Sequence, residues 1–194
     1  MKRPALALSV LLLAACASGS VARSTPTTQP FSADNARFFD DAVDYIENPE
    51  ELGGRLAADW RAQIDHLSRE SELIVPVRVE TVSEGTEANS AAAYTLTAVA
   101  TGPAVKGQVP RDRHVSLRVT EGSTGFHTVR NNITRVQARE YLLFARYHTD
   151  DEGQVRARWH LSPNTPRLLE RVRDAVGYSD PNANERVIQS QPSS

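Results

Sequence analysis

The sequence predicts an α+β fold, in which about five antiparallel strands form a small barrel or a twisted sheet, with two helices before them and one after. Three observations support this prediction. Apolar residues recur every three or four positions over 38–67 and again over 168–176, as they do on one face of a helix. Between these segments, β-branched and apolar residues alternate with polar ones, which is typical of half-buried strands. A chain of 194 residues with 40% hydrophobic residues is long enough for one domain with its own core.

Two helices are predicted in the N-terminal segment 32–70. The first follows Ser32, a favourable cap, and its polar face would carry four solvated acidic residues, Asp40, Asp41, Asp44 and Glu47. The second starts near Asn48-Pro49, because Asn caps a helix and Pro fits its first position. Gly53-Gly54 weaken that start by about 1 kcal/mol each. The second helix is therefore expected to begin as late as Arg55.

Five strands and a final helix are predicted in the segment 71–178. Alternation marks four stretches, of which the last is a hairpin: 71–82, 92–101, 113–120 and 140–163. Pro76 has no N–H to donate and indicates a sheet edge or a bulge. Thr165 and Pro166 cap and open the last helix. Three strands, a long connection over about 120–139 and two more strands are typical of an OB-like barrel, and a twisted sheet with helices on one face is the alternative.

The first sixteen residues have the parts of an export signal. A basic start is followed by an apolar stretch from Ala5 to Ala15, which has the length of a signal-peptide core and is too short to span a bilayer. The residues Leu13-Ala14-Ala15-Cys16 resemble the lipobox of bacterial lipoproteins. This resemblance implies cleavage after Ala15, a thioether between Sγ of Cys16 and diacylglycerol, and acylation of the new amino group.

The lipoprotein resemblance also implies a location. Residues 1–15 would be removed as the signal peptide, and two or three acyl chains on Cys16 would anchor the chain stably. Ala17 follows the cysteine, and by the same resemblance a residue other than Asp here favours the outer membrane, with the domain in the periplasm. Residues 16–31, rich in Ser, Thr, Pro and Ala, are predicted to be a flexible tether, and the polar residues 179–194 a disordered tail.

Charge and cysteine content restrict the partners. Removal of residues 1–15 takes away Lys2 and Arg3 and changes the formal net charge from −2 to −4. An anionic chain without a basic run is not typical of nucleic-acid binding. A single cysteine excludes internal disulfides and multi-cysteine metal sites, and the lipid on Cys16 is the only non-protein group expected. The prediction is a non-enzymatic envelope lipoprotein that binds or scaffolds another envelope component, either a protein or a glycan.

Candidate contact residues lie in two places. Ser123 and His127 stand in a glycine-flanked part of the long connection, where binding sites often occur. The last strand places Trp159 on its core face and a polar stripe on its other face; the stripe consists of Arg156, Arg158 and His160. Both sets fit contact with a small ligand, a glycan or an acidic partner.

A hydrolase is the remaining alternative. It would use Ser123 with His127, or His148 with His160 facing each other across the last hairpin beside Asp150 or Asp151. The sequence has no H-E-x-x-H, G-x-S-x-G or glycine-rich phosphate motif, each of which places groups for a known chemistry. No catalytic or metal-binding residues are therefore predicted.

Overall fold

The structure is a computed structural model that describes residues 33–86, 91–149, 153 and 155–177. Six strands form one mixed, curled sheet with helices packed on it, which confirms the predicted α+β class. None of the described helices is both long and apolar enough to cross a membrane. Several predicted features lie outside the described residues: the signal peptide 1–15, the lipidated Cys16, the tether 16–31 and the tail 179–194.

Among the described residues, short helices and a two-residue strand come before one long helix, and five longer strands and three further helices follow it. In chain order they are α1 (Ala33–Ala36), β1 (Ala42–Val43), a 3₁₀ turn (Pro49–Leu52), α2 (Gly54–Glu70), β2 (Leu73–Thr86), β3 (Ala92–Ala100), β4 (His114–Thr120), α3 (Phe126–Asn131), α4 (Ile133–Gln137), β5 (Glu140–Thr149), β6 (Val155–Pro163) and α5 (Pro166–Val176). The strand order in the sheet is β1-β6-β5-β2-β3-β4. Only β1 pairs in parallel, with β6, and the five longer strands pair antiparallel as predicted.

The sheet separates two hydrophobic cores. The inner core lies within the curl, beneath α3 and α4, and its buried residues include Val77, Leu96, Leu117, Phe126, Val129, Tyr141, Trp159 and Leu161. The outer core joins the other face to α2 and α5, through residues such as Trp60, Ile64, Leu67, Ile74, Leu142, Phe144, Leu168 and Val172. Each large apolar side chain buried in this way contributes about 1.5–3 kcal/mol of transfer free energy.

The first predicted helix is wrong beyond its first turn. The helix α1 ends at Ala36, and β1 lies in the middle of the stretch that was expected to be helical. The reason is that the apolar residues of this stretch serve both cores: Val43 belongs to the inner core, whereas Phe39 and Ile46 pack in the outer core. A helix presents one apolar face, so an extended chain between two cores fits these residues better. We call residues 38–46 the strap.

The second N-terminal helix and the C-terminal helix are confirmed. The helix α2 begins at Gly54, after a 3₁₀ turn that starts at Pro49, so the two glycines delay the helix much as predicted. The helix α5 begins at Pro166, and Thr165 caps it, since its Oγ1 accepts a hydrogen bond from the N–H of Leu168 at 3.2 Å.

Pro76 lies in a central strand, because β2 pairs with both β3 and β5. On the β3 side, however, the paired strand has already ended at Ala100, and the carbonyl of Pro76 accepts from the N–H of Thr101 in the following loop at 2.9 Å. The missing N–H of Pro76 faces this same side, so the ladder between β2 and β5 loses no bond. A bulge follows between Val79 and Thr81.

The sheet forms a half-barrel, and β4 and β6 come together without a shared hydrogen-bonded ladder. We call the line between these two strands the seam. The indole Nε1–H of Trp159 on β6 donates across it to the carbonyl oxygen of Arg118 on β4, at 2.8 Å. The strap lies along β6 beside the seam and contacts the loop that follows β4.

Replacing Trp159 with Phe tests the hydrogen bond across the seam. The substitution keeps the aromatic ring in the core and leaves the Arg118 carbonyl without this donor, so the free energy of unfolding should fall by about 1–2 kcal/mol. Trp60→Phe is the matched control, because the buried indole N–H of Trp60 has no hydrogen-bond partner among the described residues. Urea unfolding should give the smaller loss for Trp60→Phe, and equal losses would contradict the role of the bond.

Candidate functional site

The strap brings three acidic residues onto β6, more than a hundred positions away in the sequence. Oδ1 of Asp40 lies 3.0 Å from Nδ1 of His160, and Oδ2 of Asp44 lies 3.1 Å from Nε2 of the same ring. Oδ2 of Asp41 accepts a hydrogen bond from the guanidinium of Arg158. We call these five residues the strap cluster.

Backbone hydrogen bonds hold the strap in register with β6. The N–H of Asp41 donates to the carbonyl of Trp159, and the N–H of Asp44 donates to the carbonyl of Leu161, both at 2.9 Å. In return, the N–H of Trp159 donates to Oδ1 of Asp41 at 3.2 Å. Because side chains alternate along a strand, Arg158 and His160 share one face of β6, and this register places the carboxylates beside them.

His160 is held in its charged form. Its side chain is almost fully buried, and both ring nitrogens face carboxylate oxygens. An ionised carboxylate only accepts, so a ring that bonds to two of them must donate from both nitrogens, as the imidazolium does. Burial alone lowers the pKa of His160, but the hydrogen bonds and charges of Asp40 and Asp44 outweigh it and raise the pKa to about 9. At neutral pH the ring therefore has no lone pair with which to act as a base.

Asp41 is the most constrained residue of the strap. It is 3% exposed and has a φ of 53°, a left-handed conformation that Asp and Asn adopt more readily than most residues. Burial raises its pKa to about 6, although Arg158, the N–H of Trp159 and the hydroxyl of Ser123 each act to lower it. The buried carboxylate of Asp41 therefore accepts hydrogen bonds from these three protein groups in place of water.

The loop after β4 closes over the strap at Gly125. A Cβ added there would lie 2.0 Å from the carbonyl oxygen of Asp41 and 2.5 Å from Cα of Ala42. Only a residue without a side chain allows this contact between two backbones. In the same loop, Oγ of Ser123 donates to Oδ2 of Asp41 at 3.4 Å. The strap is therefore held by β6 on one side and by this loop on the other.

Three of the five contact residues predicted from the sequence lie at the strap, and the other two lie elsewhere. Ser123, Arg158 and His160 meet at the strap, where His160 is buried and Arg158 is paired with Asp41. His127 lies exposed on α3, with its ring edge-on to Phe126, and Arg156 lies on β6 opposite His148. Contact of the predicted residues with a ligand or partner stays a prediction.

The pairs expected for a hydrolase are not brought together. The strand register places His148 opposite Arg156 and His160 opposite Phe144, so the two histidines do not face each other across the hairpin. Within the part of the chain that the structure describes, no hydrogen bond joins Ser123 to His127, and no three His, Cys, Asp or Glu side chains are grouped to hold a metal ion. Asp150 and Asp151 lie outside the described residues.

A polar cleft of about 490 Å³ opens between the strap and the first turns of α2. Its lining residues are Arg37, Phe38, Asp40, Arg55, Asp59, Ala62 and Gln63. The ring of Phe38 stacks on that of His66 at 3.8 Å, and the guanidinium of Arg37 lies 4.8 Å from the Phe38 ring centre. The lining contains two arginines, two aspartates, one amide side chain and one aromatic ring, so the cleft itself has no net charge. It offers hydrogen-bond donors and acceptors to a polar ligand.

Comparisons with family models, with curated proteins and with solved structures find no match. What can be proposed about function therefore depends on the sequence motifs and on the geometry of the strap and the cleft.

Sequence reasoning missed the role of Asp40, Asp41 and Asp44, which it placed on a solvated helix face. One signal could have pointed to them. His160 lies beside Trp159 in the buried second half of β6, with the half-exposed Arg158 on the other side of Trp159, and a buried cation needs an anionic partner. That signal calls for carboxylates but does not say which of the acidic residues provide them.

Proposed function

We propose that this chain is a lipid-anchored envelope protein whose half-barrel domain binds another envelope component without catalysing a reaction. The lipid on Cys16 would hold it in the outer membrane, with the domain in the periplasm. The observation that supports this proposal most directly is the way the N-terminal part enters the fold. The tether would lead through α1 straight into the strap, which ion pairs and backbone bonds fix to β6.

The chemistry of the strap cluster supports binding over catalysis. Each of its three carboxylates has a cationic partner, since Asp41 pairs with Arg158, and Asp40 and Asp44 share the imidazolium of His160. A general acid or base must exchange a proton with its substrate, and His160 is only 3% exposed. These groups therefore suit a structural role, in which they hold the strap on β6, and we place the contact with a partner on the surrounding surface.

We further propose that the half-barrel is an OB-like barrel that stays open at the seam. Three antiparallel strands, a helical connection and two more strands follow one another in the chain, and the curl brings β6 within hydrogen-bonding reach of β4 through Trp159. OB barrels commonly bind oligosaccharides or oligonucleotides on one face. For an anionic, exported chain, the oligosaccharide is the more suitable class of the two.

Replacing Cys16 with Ser tests the anchor. Without the thiol no thioether can form, so incorporation of a labelled fatty acid should be abolished and the precursor should accumulate unprocessed. Ala17→Asp is the matched control, because it keeps the cysteine and should move the labelled protein to the inner membrane. Membrane fractionation with lipid labelling measures both effects. A Cys16→Ser protein that is still labelled and processed would contradict the proposal.

Photocrosslinking in intact cells tests the binding role. A photoreactive residue at Arg156 or His127, on the surfaces predicted to make contact, should capture one defined neighbour. The same residue at Leu56, an exposed position on α2, serves as the control and should not capture it. If neither predicted surface yields a stable neighbour while Cys16 is lipidated, the binding proposal fails and the anchor proposal stands.

A second candidate function is glycan or small-ligand binding, and the polar cleft favours it. Its volume of about 490 Å³ is in the range of small-molecule sites. Calorimetric titration with soluble cell-wall fragments should give binding that Arg37→Ala and Asp59→Ala each weaken at least about tenfold, as expected for loss of one charged hydrogen bond. Arg61→Ala, on the exposed face of α2, should leave the affinity unchanged. Heat changes that are identical in all variants would exclude the cleft as the site.

A further inference from the structure

We propose that the strap is a proton-dependent latch, which is locked on β6 while His160 is protonated and loosens at the seam when His160 loses its proton. The strap cluster carries this inference, because it is the only set of side chains among the described residues that joins the strap to β6 through ion pairs. The inference does not depend on the lipid anchor or on the identity of a partner.

The contacts of the ring explain why one proton controls the strap. With both nitrogens protonated, His160 donates to Asp40 on one side and to Asp44 on the other. When one proton leaves, one nitrogen presents a lone pair to a carboxylate, and that hydrogen bond becomes a repulsive contact. At the same time, two partly buried anions lose the charge that compensates them, which is costly in a low-dielectric site. Both effects push the strap away from β6.

The groups around the cluster do not replace the lost charge. On β6, Arg158 is engaged by Asp41, and from β5 the residue opposite His160 is the apolar Phe144. Ser162 donates its hydroxyl to Asp44, but it carries no charge. Three other charged residues line the cleft with Asp40: the cations Arg37 and Arg55 and the anion Asp59. Both arginines are solvent-exposed, so water screens their charges.

The direction of the pH effect follows from the two shifted groups. The pKa of His160 is raised from 6.5 to about 9, so its contribution to strap binding is complete below pH 6.5 and is lost as the pH rises through 9. The pKa of Asp41 is raised from 3.8 to about 6, so its ionisation also weakens the docked strap as the pH rises, but earlier, through about pH 6. Above about pH 7.5, where Asp41 is ionised, the remaining change therefore belongs to His160.

Hydrogen exchange on the full chain in detergent micelles tests the latch. The readout is the exchange of the strap, whose Asp41 and Asp44 amides bond to β6, divided by that of a peptide from β3, which corrects for the effect of pH on exchange chemistry. Between pH 7.5 and pH 10 the relative protection of the strap should fall at least about tenfold, as expected for local opening. Constant relative protection over this range would overturn the proposal.

Two variants separate the latch from general loosening. His160→Gln is neutral at every pH and should give a strap whose relative protection is already low at pH 7.5 and does not change up to pH 10. His127→Gln, which changes an exposed histidine, should keep the full pH dependence. A His160→Gln protein that retains the slope of the unaltered chain overturns the proposal. If His160→Gln does not fold, the ring carbon resonances of His160 in the unaltered chain decide: they must titrate together with the loss of strap protection.

Discussion

Replacing Gly125 with Ala is expected to lower the free energy of unfolding by about 3 kcal/mol, the upper part of the range for an overpacked interior. The added Cβ would meet the carbonyl oxygen of Asp41 at 2.0 Å and Cα of Ala42 at 2.5 Å. Both are backbone atoms, so no side chain can rotate to make room. Relief requires the strap to move away from the loop, which also disturbs the hydrogen bond from Ser123 to Asp41.

Gly122→Ala is the matched control for this substitution. It lies in the same loop, and nothing stands within 4 Å of the Cβ position. Its effect on the free energy of unfolding should stay within about 0.5 kcal/mol, as for other surface substitutions. Urea denaturation of both proteins measures the difference. Equal losses of unfolding free energy in the two proteins would contradict the prediction, because they would show that alanine destabilises this loop independently of its contact with the strap.

Replacing His160 with Ala is expected to cost about 3–5 kcal/mol at pH 7, the loss typical of removing one partner from a buried ion pair. The carboxylates of Asp40 and Asp44 would then face a cavity without their shared cation. His127→Ala provides the comparison, because that histidine is exposed, and its effect should remain within about 0.5 kcal/mol.

The pH dependence of the His160→Ala effect gives a second measurement. The unaltered chain loses the stabilisation by His160 as the pH rises through about 9, whereas the variant has no such group to titrate. The difference between the two free energies of unfolding should therefore shrink from pH 7 to pH 10. A difference that stays constant would show that His160 contributes through packing and not through its charge.

The strands and the last helix were predictable because their signals are local. Alternation of side chains identified β3 to β6 nearly to the residue, whereas β2 continues to Thr86, four residues beyond the predicted stretch. The Thr165-Pro166 pair predicted the start of α5. Pro76 shows how far such rules extend: it predicted a sheet edge or a bulge, but its strand is central in the sheet, and the bulge lies farther along, between Val79 and Thr81. Whether the neighbouring strand β3 extends as far as Pro76 depends on the length of β3, which Pro76 itself does not determine.

The strap could not be predicted in the same way. Phe39, Val43 and Ile46 have helical spacing, and only the presence of two cores on opposite sides of the chain makes the extended form better. The partners of Asp40, Asp41 and Asp44 lie on β6 at sequence separations of 116 to 120. No local rule connects such distant residues, so the acidic run was indistinguishable from a solvated helix face.

The candidate residues show the same limit. Ser123, Arg158 and His160 were singled out as a loop residue and a strand stripe, and the fold does bring them to one place. The reason for their meeting is the strap, which the sequence placed in a different conformation. Residue type and strand alternation therefore sufficed to single out the two cations of the strap cluster, Arg158 and His160. Its three carboxylates could be identified only from the tertiary structure.

The position of the strap also has a mechanical consequence. Any pull applied to the chain before Ala33 passes through α1 into the strap, which is joined to the sheet by a two-residue strand, a few ionic contacts and the packing of Phe39 and Val43. The β5–β6 and β2–β3 ladders are far longer, so the strap should detach under force before the strands separate. A chain held at its N-terminus would thus lengthen by the residues of the strap while its half-barrel remains folded.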